Sequence, residues 1–388
     1  MGVKEGILLT GATGALGSML LQRLCREGHD VICLVRADDD DAARARIEAI
    51  IGRNDNVTVV RGDVTEPRCG LTEADCKMLV GRFDRVLNCA GCISFHDQNA
   101  TYLTNVAGMR HVLQMMDVVG VTQILHVSTA YVVGDGDYLS EEKFSNGQCW
   151  RNPYEQSKFQ GEMLLRSWAS ADSARRFTVF RPSVLVGCED GSTPTFEGYY
   201  RYFEPMYRTV EHLRKRRGNG LPPDVSVEDN GLVRAPFALL LADKCVNYIP
   251  IDWAADMTVA GVDAPIRNET YNLVHDNPPR MRDCLRWSLD HLKIGGVVVC
   301  GTRVDRDIAL KAQGPLLNRM QRRIDVIHDA FVPYCTTNPE FQMDAAPRNL
   351  GAKFRSAPII DQRFLSRTLD YALQNNWGAK KAGSDEPG

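Results

Sequence analysis

Two residues four positions apart, Tyr154 and Lys158 in the segment NPYEQSKFQGEMLL, could carry out proton-transfer chemistry. The segment predicts an amphipathic helix, on which residues at this spacing share one face. A phenol has an ordinary pKa of about 10, so it needs a neighbouring cation to exchange a proton near neutral pH. Lys158 would supply that cation, and Tyr154 would act as a general acid toward an oxygen atom. The alternative is a chance pair, with a buried tyrosine beside an exposed lysine.

Thr129 is a third candidate, because the segment HVSTAYVVG places it at the C-terminal end of a predicted strand. Ligands of open α/β sheets bind outside that edge of the sheet. A hydroxyl at this position would donate a hydrogen bond to an oxyanion that develops on a substrate. We therefore predict that Thr129, Tyr154 and Lys158 meet around one carbon–oxygen bond as a catalytic set.

A glycine turn near the start of the chain, LLTGATGALGSML (8–20), predicts the second reactant. Gly11, Gly14 and Gly17 lie between a strand-like run and a helix-like run. Glycines let the main chain approach a pyrophosphate, and a helix N-terminus favours an anion there. The placement between strand and helix distinguishes this pattern from an ordinary tight turn. The turn therefore predicts a dinucleotide, whose nicotinamide would exchange a hydride beside Tyr154.

The residues that follow the second predicted strand favour NADPH (NADP+) over NADH. NAD sites tend to carry an acidic residue at that position, whereas NADP sites carry an arginine. Here the strand ends in Arg36, and Arg44 and Arg46 follow on the next predicted helix. The acidic run DDDD at 38–41 would oppose a 2′-phosphate if it pointed inward. We interpret it as a solvated first helical turn, where acidic side chains complement the helix dipole.

The elements that must position these residues alternate between strand-like and helix-like segments over the first 190 residues. This alternation predicts an α/β fold with a Rossmann-type, doubly wound parallel sheet. Predicted helices lie at 16–28, 42–51, about 99–118 and 154–170. The predicted strands are GILLT (6–10), DVICLVR (30–36), VTVVRGDV (57–64), RVLNCAG (85–91), QILHVST (123–129) and FTVFRPS (177–183).

A smaller, mostly helical substrate-binding region is predicted for 188–232 and 277–375. The NADP-binding domain would comprise 1–187 and 233–276, where strand and helix patterns return in NYIPIDWAADM and TYNLVHD. Aromatic residues in 188–232 could line a substrate pocket or form ordinary core. The end of the chain, 376–388, has the composition of a disordered tail.

Composition excludes several classes of protein. The formal net charge of −3 gives no reason to expect nucleic acid as a partner. The longest apolar stretches, such as FALLLA at 237–242, are too short to cross a bilayer. No secretory signal precedes the glycine turn, so we expect a cytoplasmic protein.

The 12 cysteines are scattered singly, which is typical of thiols in a reducing compartment. Cys89 and Cys92 form the one close pair. A zinc site needs two further ligands at similar spacing, so no metal is predicted. The pair is either a redox dithiol or small residues in the core.

Together these residues make the chain resemble the extended short-chain dehydrogenase/reductase (SDR) superfamily. The matching features, in the same order along the chain, are TGATGALG, GDV, Asn105 in NVAG and the three catalytic candidates. The segments LVRADDDDAARARI, GDVTEP, HVSTAYV, FRPSVLVG and YIPIDWAADM resemble the branch that contains fatty acyl-CoA reductases and thioester reductases. The likeness covers nearly all of 6–280. The segment CAGC departs from the alanine-rich sequence of most relatives, so the pocket walls are expected to differ.

The resemblance implies a set of cofactor contacts in addition to Lys158, which would hold the nicotinamide ribose. The 2′-phosphate would contact Arg36 and Arg46, and the adenine would contact Asp63 and Val64. The residues that would contact the pyrophosphate are Thr10, Gly11, Thr13, Gly14, Ala15, Leu16 and Gly17. The cofactor would also be flanked by Cys89, Ala90 and Gly91, with Pro182, Ser183 and Val184 near the nicotinamide and Asn105 as the superfamily's structural asparagine.

The implied function is NADPH-dependent reduction of an acyl thioester, bound to CoA or an acyl carrier protein, to an aldehyde, and the sequence leaves open whether a second reduction gives the alcohol. A ketone or aldehyde reductase, or a sugar-nucleotide epimerase or dehydratase, would use the same three catalytic residues. A non-catalytic dinucleotide-binding sensor is the alternative of another class, although such proteins usually lose the tyrosine or the lysine. The basic cluster RKRRG (214–218) would either dock an acidic partner or form a solvated face. The sequence is compatible with a monomer or a homodimer.

Overall fold

The computed structural model describes residues 6–143, 145–216, 220–337 and 339–379. The described strands, in chain order, are β1 Gly6–Thr10, β2 Asp30–Val35, β3 Val57–Arg61, β4 Arg85–Asn88, β5 Gln123–Val127, β6 Tyr138–Leu139, β7 Arg176–Pro182, β8 Val184–Val186, β9 Ser226–Val227, β10 Val233–Arg234, β11 Ala238–Leu240, β12 Tyr248–Pro250, β13 Glu269–Leu273, β14 Ile294–Gly295, β15 Val298–Cys300 and β16 Glu340–Phe341.

The helices complete the description of the elements. They are α1 Ala15–Arg26, α2 Asp40–Ile51, α3 Glu73–Leu79, α4 Gln98–Thr101, α5 Gly108–Val119, α6 Pro153–Ser170, α7 Tyr199–Lys215, α8 Ile251–Val262, α9 Met281–His291, α10 Arg303–Ala312, α11 Pro315–Thr336, α12 Ala345–Leu350 and α13 Gln362–Gln374. A π-helical segment, Tyr102–Ala107, joins α4 to α5. Within the described ranges, none of these helices combines the length and the apolar character that crossing a membrane requires.

A seven-stranded parallel sheet in the order β13-β7-β5-β4-β1-β2-β3 confirms the predicted Rossmann-type fold. β1, β2 and β5 are buried over almost their whole length, as expected for strands covered by helices on both faces. The strand order reverses between β1 and β4, and this reversal opens a crevice at the C-terminal ends of the strands. Several predicted strands end earlier than expected, because their last residues already belong to the loops at that edge.

Contacts divide the described residues into two units, with 6–183, 252–274 and 339–356 in unit 1 and the remainder in unit 2. The predicted division differs from this one mainly at two places, and by a few residues at 184–187 and 275–276, which group with unit 2. Residues 233–251 group with unit 2, where β11 pairs with β15 and β12 pairs with β8. Residues 339–356, predicted as part of the substrate-binding region, group with unit 1. The functions assigned to the two regions remain predictions.

Glu141 explains why 339–356 belongs to unit 1. Its buried carboxylate accepts hydrogen bonds from the backbone N–H groups of Asn272, Asp344 and Ala345 at 2.7–2.9 Å. β16 also pairs with β6 in parallel. The contacts that Glu141 makes with Asp344 and Ala345 join residues 203 and 204 positions apart, which no local sequence pattern could indicate.

Unit 2 has an aromatic and aliphatic core. Tyr199, Tyr200, Tyr202 and Phe203 on α7 are each at most 5% exposed, so they are core residues and not the lining of an open pocket. In the basic cluster, Arg214 donates to the backbone carbonyls of Gly231, Leu292 and Lys293. Residues 217 and 218 of that cluster lie outside the described residues. Of the predicted tail, 376–378 form a short 3-10 turn, and 380–388 lie outside the described residues.

Candidate functional site

The glycine turn between β1 and α1 leaves the N-terminus of α1 without a capping side chain. Gly14 is the N-cap, with an extended backbone and no side-chain hydrogen bond. Gly11 has a φ of 72°, in the left-handed region that favours glycine, and a Cβ there would come within 2.6 Å of the Ala90 backbone nitrogen. A Cβ on Gly17 would overlap the carbonyl oxygen of Gly11. Only glycines permit this close packing, and the first backbone N–H groups of α1, from Ala15 and Leu16 onward, form a site suited to an anion.

Two arginines lie beside this turn. Arg46 donates from Nη2 to Thr13 Oγ1 at 2.9 Å and from Nη1 to the carbonyl oxygen of Arg36. The Arg36 side chain is 74% exposed, and its Nη1 lies 3.9 Å from Asp63 Oδ2. Arg44, in contrast, pairs with Asp41. The structure therefore groups Arg36, Arg46, Thr13 and Asp63, and a 2′-phosphate would replace solvent around the two guanidinium groups.

The acidic run 38–41 forms the start of α2, as interpreted from the sequence. Asp39 is the N-cap and accepts a hydrogen bond from the Ala42 backbone, while Asp40 and Asp41 lie in the first turn. Asp40 also pairs with Arg61 at the end of β3. These contacts use the acidic groups within the helix start.

Thr10 holds the loop after β4 against the glycine turn. Its hydroxyl donates to Asn88 Oδ1 at 2.6 Å and accepts from the Ala90 backbone N–H at 3.1 Å. The Cys89 backbone N–H donates to the Thr10 carbonyl at 3.3 Å. Further along the loop, a Cβ on Gly91 would lie 3.1 Å from Lys158 Nζ. The predicted cofactor residues Cys89, Ala90 and Gly91 therefore line a path from the glycine turn to Lys158.

Asn105, in the π-helical segment, fixes the end of the same loop. Its Oδ1 accepts from the Cys92 backbone N–H, and its Nδ2 donates to the Cys92 carbonyl oxygen, each at 2.9 Å. Nδ2 also donates to Ser157 Oγ on α6 at 2.8 Å. Asn105 thus holds the loop against the helix that carries Tyr154 and Lys158.

Thr129, Tyr154 and Lys158 meet in the structure. Thr129 directly follows Ser128 at the end of β5 and shares a hydrogen bond with the Tyr154 phenol. Its Oγ1 also donates to the carbonyl oxygen of Pro182 at 3.4 Å. One helical turn beyond Tyr154, Lys158 Nζ donates to the carbonyl oxygen of Val127 at 2.9 Å. The hydroxyl, the phenol and the ammonium therefore lie together at the C-terminal edge of the sheet.

Burial dominates the ionisation of this set. It raises the pKa of Tyr154 to about 12, although the hydrogen bond between Tyr154 and Thr129 opposes the shift. It lowers the pKa of Lys158 to about 8. The sequence argument expected a nearby cation to lower the phenol pKa, whereas in this structure burial is the largest influence on that pKa and raises it. A neutral phenol that holds its proton until an oxyanion forms is suited to donate it.

The remaining predicted cofactor residues lie at or shortly after the ends of β3, β4 and β7. Ser183 N–H donates to the Leu273 carbonyl oxygen at 3.0 Å, and Val184 begins unit 2 in β8. Val64 follows Asp63, and its carbonyl oxygen lies 2.9 Å from His111 Nδ1. Cys89 and Cys92 are free thiols, and burial raises the pKa of Cys89 to about 11, which disfavours its thiolate.

Sequence reasoning missed a row of buried polar groups beneath the set. His126 Nδ1 lies 3.3 Å from Asn88 Nδ2, and burial lowers the pKa of His126 to about 3. Glu162 and Arg181 form an ion pair in which neither side chain is exposed. The spacing of Glu162, four residues after Lys158, was a usable signal, whereas its partner Arg181 comes from a distant strand.

Comparisons with known proteins identify a family and a fold to which this chain is similar. A family model described as male sterility protein, an NAD-binding family, matches residues 9–258. The chain is 33% identical over 189 residues to a hybrid PKS-NRPS synthetase of Talaromyces variabilis, across 48% of this chain and 4% of the synthetase. It is 27% identical over 155 residues to fatty acyl-CoA reductase 1 of Rattus norvegicus, across 35% of this chain and 30% of that protein.

A solved structure similar to this chain is the terminal R domain from the myxalamid PKS-NRPS biosynthetic pathway. It matches with a TM-score of 0.74 at 20% identity, across 97% of this chain and 92% of the domain. At that identity the likeness shows a shared fold. The chain spans less than a third of the length of either curated relative.

Proposed function

The chain belongs to the male sterility protein family of NAD-binding domains, within the extended SDR superfamily, and we propose that it reduces acyl thioesters with NADPH. The observation that carries the proposal is the meeting of Thr129, Tyr154 and Lys158 at the sheet edge next to the loop that starts at Cys89. The thioester substrate class comes from the names of the relatives, a fatty acyl-CoA reductase and PKS-NRPS enzymes.

The residues present fit a phosphorylated dinucleotide. A Cβ atom at Gly11 or at Gly17 would overlap neighbouring backbone atoms, so only glycine fits at either position. The N-terminus of α1 has no capping side chain and is suited to a phosphate. Arg36 and Arg46 would hold a 2′-phosphate, and Lys158 would hold the nicotinamide ribose. When bound, NADPH supplies a hydride to the carbonyl carbon of the substrate.

In the proposed mechanism, the thioester carbonyl oxygen lies between Thr129 Oγ1 and Tyr154 Oη. The Thr129 hydroxyl would turn from the Pro182 carbonyl oxygen and donate a hydrogen bond that stabilises the developing negative charge. Tyr154 gives its phenolic proton to that oxygen as the carbon accepts the hydride. Lys158 stabilises the resulting phenolate until solvent returns the proton. The hemithioacetal then breaks its carbon–sulfur bond and gives an aldehyde and a free thiol. A second reduction at the same residues would give the alcohol.

A direct assay tests the proposal. Purified protein is incubated with NADPH or NADH and with acyl-CoA esters, an acylated carrier protein, aldehydes, ketones or nucleoside-diphosphate sugars. We expect NADPH oxidation coupled to release of free thiol, with aldehyde or alcohol identified by mass spectrometry. Reduction of ketones or aldehydes alone, or sugar conversion without net NADPH use, would contradict the thioester assignment. Cofactor binding without any turnover would favour the sensor. The choice between CoA and a carrier protein and the cytoplasmic location remain predictions.

A further inference from the structure

A buried ion pair, Glu162 with Arg181, lies beneath the proposed catalytic set and takes no part in the mechanism above. Arg181 Nε donates to Glu162 Oε1 at 2.9 Å, and Nη2 donates to Oε2 at 2.7 Å. Both side chains are fully buried. Burying two charges costs so much solvation that such a pair is often no more stabilising than apolar residues of the same size. Stability alone therefore does not account for the pair.

The placement of the pair connects it to each catalytic residue. Tyr154, Lys158 and Glu162 follow one another at four-residue spacing on α6, so successive members are neighbours along the helix. Arg181 directly precedes Pro182, whose carbonyl oxygen accepts the hydrogen bond from Thr129. The two parallel hydrogen bonds of the pair thus hold the helix that carries Tyr154 and Lys158 against strand β7 beside the acceptor of Thr129.

Glu162, which is hydrogen-bonded to Arg181, is an acidic group one helical turn beyond Lys158 whose charge favours the protonated lysine. The thiols of Cys89 and Cys92 lie near the ammonium, but burial raises the pKa of both, so they are neutral at pH 7. His126 is also close and is neutral, because burial lowers its pKa to about 3. Tyr154 keeps its proton. Among the described residues that act on Lys158, Glu162 is the one that carries a negative charge at pH 7.

We propose that Glu162 is a positioning residue for the reduction: Arg181 orients its ionised carboxylate, and that charge keeps Lys158 protonated beside Tyr154. The inference rests on the proposed function only in the role given to Lys158. A lysine that lost its proton would no longer stabilise the phenolate formed when Tyr154 donates.

Two neutral variants separate a charge effect from a merely structural one. Glu162→Gln removes the negative charge and keeps the shape of the side chain. Arg181→Gln removes the positive charge, while Glu162 keeps a second cation, Arg166, whose Nη2 lies 3.6 Å from Glu162 Oε2. The titration of Lys158 is followed by NMR with ¹³C-labelled lysine, and its resonance is assigned by its loss in Lys158→Met. Asp84→Asn is the control, since Asp84 pairs with Arg85 at the N-terminal end of β4, whereas the catalytic candidates lie near the C-terminal ends of the strands.

We expect Lys158 in Glu162→Gln to titrate about one pH unit lower than in the wild type, and in Arg181→Gln to titrate higher. The alkaline limb of kcat/KM follows the same shifts, and Asp84→Asn leaves both unchanged. Shifts in the same direction in both variants, or no shift in either, would overturn the proposal. If Glu162→Gln does not fold, the direction of the shift in Arg181→Gln decides alone. The NMR titration needs no substrate, so absence of thioester reduction by the wild type would reject the proposed function and leave this result readable.

Discussion

Tyr154 in unit 1 and Tyr199 in unit 2 are both phenols whose pKa burial raises. The Tyr199 hydroxyl is hydrogen-bonded to Ser288 Oγ at 2.8 Å, and its ring packs against those of Phe203 and Tyr248. The Tyr154 hydroxyl is hydrogen-bonded to Thr129, one helical turn from a buried ammonium. The two tyrosines differ in their neighbours much more than in their burial.

The comparison teaches that a buried phenol is a candidate for chemistry where charged side chains are buried close to it, and not where its neighbours are neutral. In unit 1, the side chains of Lys158 and Glu162 on α6 and of Arg181 on β7 are all buried. The core of unit 2 consists largely of aromatic and aliphatic side chains. Perturbed pKa values in that core therefore reflect packing, whereas those near Lys158 point to chemistry.

The largest expected effect tests the two tyrosines directly. We expect Tyr154→Phe to lower kcat by about 10³-fold, because the general acid is lost. Tyr199→Phe should keep wild-type kcat and lose about 1 kcal/mol of unfolding free energy, since one buried hydrogen bond is removed. Steady-state kinetics and urea denaturation measure the two quantities. Equal loss of activity in both variants would end the distinction between the two regions.

Two glycines provide the next comparison. Gly17→Ala places a methyl group against the Gly11 carbonyl oxygen, and a rearrangement costing about 2 kcal/mol should weaken NADPH binding about 30-fold. Gly301 in unit 2 is exposed, with nothing within 4 Å of an added Cβ, so Gly301→Ala should bind normally. Cofactor fluorescence titration gives both affinities. Unchanged binding by Gly17→Ala would separate the glycine turn from the cofactor.

Two arginines are compared third. Removal of a charge-assisted contact by Arg46→Ala should raise the KM for NADPH about tenfold and leave that for NADH unchanged. Arg214→Ala should lower stability, because three backbone carbonyls lose their donor, and leave the KM for a CoA thioester unchanged. A raised KM for the CoA thioester in Arg214→Ala would instead favour the docking role considered for the basic cluster.

The smallest expected effect is a twofold fall in kcat/KM near pH 8. Because the pKa of Lys158 is lowered to about 8, half of the protein loses the ammonium at that pH, and kcat/KM should fall to about half of its plateau. The unfolded chain keeps this proton up to the ordinary pKa of 10.5 and therefore binds more protons between the two values. The free energy of unfolding consequently rises with pH over this window, and Lys158→Met should abolish the rise. A flat pH profile through pH 8 would contradict the buried ammonium.

Much of unit 1 could be predicted from short segments. The runs GILLT and QILHV are buried strands because most of their positions are apolar or β-branched, which suits a sheet covered on both faces. The helix that contains Tyr154 and Lys158 begins one residue earlier than predicted, at Pro153 after the N-cap Asn152. The aromatic residues of α7 were ambiguous, because a pocket wall and a core need the same residue types.

The sequence by itself determined the order of strands and helices, the glycine turn and the four-residue spacing of Tyr154 and Lys158, because each depends on backbone geometry within a few residues. Only the tertiary structure decided that Arg181 faces Glu162 and that Glu141 holds 339–356 in unit 1. It also decided that the pKa of the Tyr154 phenol lies above its ordinary value. Solvation and charge–charge interactions act between groups close in space, and those groups come from distant parts of the chain.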